Sequence, residues 1–245
     1  MDTVHIFLQV SISAKRYFYT VTELLQNPVY NALLSGDRQF AMGNEAAKYF
    51  PEEVSPFAGF SEDNENGFSL LHDLLPAGRK ILFAKPSRIT EPAGWQLQHE
   101  IKGLQFVYEG GAMNASFDKI VPLTETHVEE MTALVRLTKP GPFGKRTIEF
   151  GYYHGIFNEG KLVAMTGQRL HVGNCTELSA VCTHPGHLGK GYASMLLQHQ
   201  LQIILQKGQQ PFLHVRADNE RAIEVYERLG FKVSRPMNFY FMKRL

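Results

Sequence analysis

The stretch from Thr176 to Phe231 constrains this chain most, because its apolar periodicity changes repeatedly and each change is punctuated. Glu177 to Thr183 is a run of strand length. A loop carrying Pro185, Gly186, Gly189 and Gly191 follows, and then Ala193, Leu197, Leu201, Ile204 and Leu205 recur at helical spacing until Gly208. Phe212 to Val215 reads as another strand. Asp218 and Asn219 are helix-cap residues, Tyr226 falls on the helix face that Asn219 opens, and Gly230 closes that helix. Strand, glycine turn, helix, strand and helix in this order predict an α/β (α+β) protein with a mixed central sheet flanked by helices.

The turn Leu188-Gly189-Lys190-Gly191-Tyr192-Ala193 joins a strand to a helix, so its backbone N–H groups can cradle an anion such as a phosphate. It also half matches a dinucleotide fingerprint, although Ser194 stands where a third glycine or alanine belongs and the next strand ends in Arg216 rather than an acidic residue. A tight turn without any ligand is the third reading. The turn alone leaves all three open.

Taken together, these residues resemble the GNAT superfamily of N-acetyltransferases. Leu188 to Ala193 matches the family's phosphate loop, written Q/R-x-x-G-x-G/A, with Leu188 in place of the usual Gln or Arg; that departure removes a side-chain contact and leaves the backbone cradle. Asn219 to Phe231 matches N-x-x-A-x-x-x-Y-x-x-L-G-F at every named position. NPVYNALL (27–34), VSPFAGF (54–60), TKPGPFGKRT (138–147) and ELSAVCTHP (177–185) resemble a two-domain branch of the superfamily, so the likeness covers most of the chain.

The resemblance implies a GNAT fold and acetyl-CoA as co-substrate. Val181, Cys182 and Thr183 would pair with the pantetheine arm. Leu188, Gly189, Lys190, Gly191, Tyr192, Ala193 and Ser194 would hold the pyrophosphate, with Asn219 and Tyr226 completing the site. An amine must be neutral to attack a thioester, yet a lysine-type amine has a pKa of about 10.4, so a base or water must take its proton. Glu177 is the candidate, since its separation from Gly191 matches that of the catalytic glutamate in the histone-acetyltransferase branch; a carboxylate without function at a strand end is the other reading. Tyr226 is by motif the phenol that protonates the leaving thiolate. The acceptor would enter near the 139–146 loop and the following hairpin, which offer Phe143, Arg146, Tyr152, Tyr153 and Arg169, the arginines suiting an acceptor carboxylate. The expected activity is therefore an acyltransferase, moving acetyl to a primary amine on a small-molecule or peptide acceptor. A non-catalytic acyl-CoA sensor is the alternative, and a nicotinamide-binding protein the third.

Composition narrows the partners. Lys plus Arg number 25 against 24 Asp plus Glu, which provides no polycationic surface for nucleic acid. There is no apolar run of membrane-spanning length and no secretory order at the start, so a cytoplasmic protein is expected. Cys175 and Cys182 read as small hydrophobes. His184 and His187, with His171 and His214 elsewhere, lack zinc-ligand spacing, so no metal is expected, and no G-x-S-x-G elbow provides a serine nucleophile.

The chain divides near residue 115. Residues 1–115 read as an N-terminal α/β domain, a candidate degenerate copy of the same fold, with strands at Val4 to Val10, Ile81 to Ala84 and Ile101 to Tyr108 and a helix over Val21 to Leu34. It lacks a glycine cradle and is expected to wall the acceptor side, while its aromatic residues Phe57, Phe60, Phe68, Trp95 and Phe106 also suit a core of its own. Residues 116–245 form the catalytic domain. There Thr126 and Glu129 predict a capping box, and Thr147 to Phe157 pairs with Lys161 to His171 across an Asn158-Glu159-Gly160 turn.

Overall fold

The computed structural model describes residues 8–12, 15–111 and 117–245. Strands β1 (Leu8–Ile12) and β2 (Lys15–Tyr19) form a hairpin of their own; of the Val4 to Val10 run, residues 4–7 lie outside the described residues. The helix expected over Val21 to Leu34 is two helices, α1 (Val21–Leu24) and α2 (Pro28–Leu34). Pro28 has no N–H to continue α1 and sits instead in the first turn of α2. Strands β3 (Met42–Gly43), β4 (Ala47–Tyr49) and β5 (Ala58–Phe60) make a small sheet, and α3 (Gly67–Leu74) buries Leu71 with Phe60, Ile81 and Trp95.

The remaining strands build one large sheet. They are β6 (Lys80–Lys85), β7 (Trp95–Tyr108), β8 (Ile120–Pro122), β9 (His154–Asn158), β10 (Lys161–Val172), β11 (Cys175–Thr183), β12 (Gln210–Arg216) and β13 (Phe231–Arg244). Their order is β6-β13-β7-β12-β11-β10-β9-β8, and only β11 and β12 run parallel. Helices α4 (Val128–Thr138), α5 (Tyr192–Gln206) and α6 (Glu220–Arg228) complete the chain. One core cluster joins α5 and α6 to the sheet through Leu197, Leu201, Ile204, Tyr226, Leu178 and Leu213. A second joins α2 and α4 to it through Leu33, Met131, Leu134, Met165 and Phe212. Strand alternation accordingly sends Leu178 and Leu213 to the α5 face and Glu177 and His214 to the other.

The line near residue 115 separates strands of one sheet. β7, from the N-terminal portion, lies between β12 and β13 and pairs with both, matching β13 from Tyr108 against Phe231 to Trp95 against Arg244. The contact is close where β7 ends: a Cβ on Gly230 would meet the Gly110 carbonyl oxygen at 2.0 Å, and Gly230 has φ +93°. No other residue fits this turn without moving the backbone.

Local expectations shifted where backbone turns intervene. The strand expected from Ile101 begins at Trp95. The hairpin strand expected from Thr147 begins at His154, because residues 147–150 form a 3-10 turn and Gly151 (φ +89°) and Tyr152 (φ +55°) turn the chain left-handed. The hairpin itself closes at Glu159 (φ +51°) and Gly160 (φ +73°), where the sequence placed it. Thr124 and His127, not Thr126 and Glu129, form the box ahead of α4, since the chain makes one 3-10 turn before the helix proper. Expressed alone, residues 116–245 lack the shared partner of β12 and β13, so no cooperative thermal transition is expected by circular dichroism. A cooperative melt of that fragment would show that the two strands pair another way.

Candidate active site

The site begins at the turn into α5. Gly189 (φ +79°) and Gly191 (φ +76°) adopt a conformation that other residues avoid, and a Cβ built on either would meet nothing within 4 Å. The backbone angle therefore requires glycine, and the space beside the turn is open. Gly191 caps a 15-residue helix with no side-chain hydrogen bond, leaving the N-terminal end of the helix dipole available to an anion.

From this turn a cleft of about 700 Å³ runs into the sheet. β11 and β12 pair only from Cys175 against Gln210 to Leu178 against Leu213. Beyond that point β11 follows β10 while β12 follows β7, and the gap between them is the cleft. A β-bulge with Ala180 at φ +53° marks the opening of β11. Val181, Thr183 and Tyr226 line the near part. Past the parted strands the walls are Phe57, Leu82, Ile101, Phe239 and Phe241. Three arginines, Arg216, Arg221 and Arg228, border the cleft along β12 and α6.

A line of polar side chains crosses the sheet where β11 and β12 part. Arg169 donates to Glu177 through Nε (2.9 Å) and Nη2 (2.7 Å). His214 Nδ1 lies 2.9 Å from Glu177 Oε1, and His214 Nε2 lies 3.0 Å from Gln105 Nε2. The same Gln105 nitrogen donates to the Leu25 carbonyl at 2.8 Å. A carbonyl only accepts, so Gln105 presents N–H to both partners; His214 accepts at Nε2 and donates Nδ1–H to Glu177, as the neutral ring does. Glu177 is wholly buried, which by itself would raise its pKa, but the charge of the Arg169 guanidinium and the hydrogen bonds from His214 and Arg169 outweigh this and hold it well below the usual carboxylate range.

Tyr226 lines the cleft from α6, packed against Phe106 and Phe231, and burial pushes its phenol above the usual range. The donor-side residues expected from the sequence converge: Val181, Cys182 and Thr183, Leu188, Gly189, Gly191, Tyr192, Ala193 and Ser194, and Asn219 all line the cleft. Asn219 also caps α6 by accepting from Ala222 N–H. Lys190 is the exception, its ammonium lying 3.2 Å from His187 Nδ1 at the surface.

Of the acceptor-side residues Phe143, Arg146, Tyr153 and Arg169, Arg169 alone lines the cleft. Its fork already holds Glu177. Arg146 pairs with Glu149 at 2.5 and 2.8 Å. Tyr153 is buried beneath Phe143, with ring centroids 5.8 Å apart, and Phe143 borders a smaller adjoining recess with Pro56 and Val135. Glu177, the candidate base, has both its oxygens engaged by Arg169 and His214. His214, Gln105, Phe239 and Phe241 were not anticipated as site residues, whereas Phe57 is among the aromatics of the expected acceptor-side wall. The alternation of Phe212 and His214 marked a face of the strand, but the partners of His214 are distant in sequence.

Glu177→Gln is expected to lower stability near neutral pH by about 3–5 kcal/mol, because it leaves Arg169 buried without its counter-charge. Glu177's folded pKa lies below its ordinary value of 4.5, so its ionisation stabilises the native state above that value and the benefit is lost as pH falls toward 2. Urea melts across this window should therefore show a shallower acid decline in the variant than in the wild type.

Comparison with known proteins follows the same lines. The family model of FR47-like proteins matches residues 153–240. No curated protein matches the chain in sequence. A GCN5-related N-acetyltransferase from Kribbella flavida shares the fold, with a TM-score of 0.58 at 13% identity over 89% of this chain and 95% of that one. A GNAT-family acetyltransferase from Colwellia psychrerythraea does so at 0.51 and 13% identity, covering 80% of each chain. A GNAT-family protein from Novosphingobium aromaticivorans DSM 12444 is 30% identical, with a TM-score of 0.85 over 91% of this chain and 99% of that one. At that identity and coverage, with the glycine turn and parted strands in place, the chain belongs to the GNAT family.

Proposed function

We propose that the protein transfers an acetyl group from acetyl-CoA to a primary amine by direct attack on the thioester. One observation carries this reading: an open glycine turn at a helix N-terminus leads into a cleft between parted strands that continues to a second, apolar end. A diphosphate suits the turn. The amides of an extended pantetheine arm suit the free edge of β11, as an added strand does at a sheet edge. Arg221 and Arg228 supply positive charge for the donor's phosphates, while Arg216 is forked onto Asp218.

Acetyl-CoA would supply the thioester. As the C–N bond forms and the C–S bond breaks, nitrogen gives up one proton and sulfur takes one. Tyr226, which lines the cleft from α6 and stays protonated at neutral pH, is the group that gives sulfur its proton as the thiolate leaves. Cys175 and Cys182 do not serve as nucleophiles, since burial pushes their thiols up to about 12 and about 11. Glu177 positions Arg169 and His214 rather than accepting the amine's proton. Phe57, Leu82 and Ile101 make the N-terminal portion the acceptor-side wall. The engagement of Glu177 also suits a binding-only acyl-CoA sensor, which would bind the donor and release no thiol in the presence of amines.

Two variants test the assignment. Tyr226→Phe should lower kcat by about 10² while leaving acetyl-CoA affinity nearly intact by calorimetry, the range usual for acid-base residues. Gly191→Asp should weaken acetyl-CoA binding at least about tenfold by adding bulk and negative charge beside the turn. Unchanged affinity in a folded Gly191→Asp protein would overturn the phosphate-loop assignment.

A further inference from the structure

We infer that the acceptor is an apolar primary amine carrying no charge beyond its reacting nitrogen, of the chemical class of 2-phenylethylamine. This inference rests on the acetyltransferase reading and adds the identity of the acceptor class.

The far end of the cleft is apolar on most sides. Phe57, Leu82 and Ile101 come from the N-terminal portion, and Phe239 and Phe241 from β13. The rings are held in place: Arg169 lies 5.0 Å over Phe57, Phe239 meets His214 edge-on at 5.3 Å, and Phe241 stacks on His99 at 4.1 Å. A fixed set of aromatic faces takes an aromatic or aliphatic body without reorganisation.

The buried charges at that end are paired. Arg169 is neutralised by Glu177, and His214 carries the neutral-ring hydrogen-bond pattern set by Gln105. Lys139 is an exposed, solvated ammonium at the rim, outside the apolar chamber. Among the described residues the other carboxylate at the cleft is Glu224 on α6, beside the donor-side arginines. A second ammonium on the acceptor would therefore lose its hydration with no counter-charge, and an acceptor carboxylate would meet a guanidinium already paired. The same lack of a free carboxylate favours the unprotonated amine, which is the form that attacks. The proton that nitrogen sheds once the C–N bond has formed passes to water at the mouth of the cleft, and Tyr226 regains the proton it gives to sulfur from water in the same way.

The test measures thiol release from acetyl-CoA with three amines. Phenylalanine adds a carboxylate to 2-phenylethylamine, and spermidine adds further ammonium groups in place of the ring. Calorimetry of acetyl-CoA binding runs in parallel. Expected is a kcat/KM for 2-phenylethylamine at least tenfold above either of the others, rising with pH up to the amine's own pKa. Equal or better turnover of phenylalanine or spermidine overturns the acceptor class while leaving the transferase reading intact. No donor binding, or bound donor with no thiol released by any amine, overturns the transferase reading and the acceptor class with it. Independently of turnover, 2-phenylethylamine should bind the CoA-saturated protein and bind at least tenfold more weakly to a folded Phe241→Ser variant. Ile101→Asp, which adds a free carboxylate to the chamber, should shift preference toward spermidine. Unchanged amine binding in Phe241→Ser together with unchanged preference in Ile101→Asp would overturn the proposal.

Discussion

The carboxylate of Glu177 is the contact on which the rest of this architecture depends. A sheet that opens between β11 and β12 forfeits main-chain pairing there, and something else must keep the strands in register. Glu177 does so by holding Arg169 on β10 and His214 on β12 at once, while Gln105 passes the connection on to β7 and the α1 segment. Hydrogen-bonded charge replaces the ladder where the backbone cannot supply it. A buried ion pair is a poor source of stability in general, and its use at this position fits a role in fixing geometry.

The breach in the sheet lets its two faces take different parts. On one face lie α5, α6 and Tyr226, with the glycine turn and the arginines suited to an anionic donor. On the other lie the paired charges and the aromatic wall. The reacting groups would meet at the edge of β11.

The sequence made legible what is local. The glycine turn, the Asn219 cap and the Gly230 stop each announce themselves within a few residues, and the structure places them as read. Illegible were features set by residues far apart in the chain. His214 and Gln105 are 109 positions apart, and Gln105 reaches Leu25 across another 80. Glu177 looked like a base because its spacing to Gly191 carries that meaning in relatives. The arginine opposite it in β10, which engages both its oxygens, becomes its neighbour only through strand register. Likewise Phe57 and Leu82 have no pattern of their own that separates a cleft wall from an ordinary core.

The insertion of β7 between β12 and β13 has a consequence for biosynthesis. β7 leaves the ribosome before either of its neighbours, and residues 109–230 must be made before β13 can cover one of its edges. Until β12 is made both edges of this long strand are bare, and until β13 follows one still is, the state most open to pairing with other chains. Its middle carries Glu100 and Lys102, exposed in the finished fold and charged throughout the wait. Such residues discourage edge-to-edge association, so the same strand that makes the two portions inseparable also carries its own protection during synthesis.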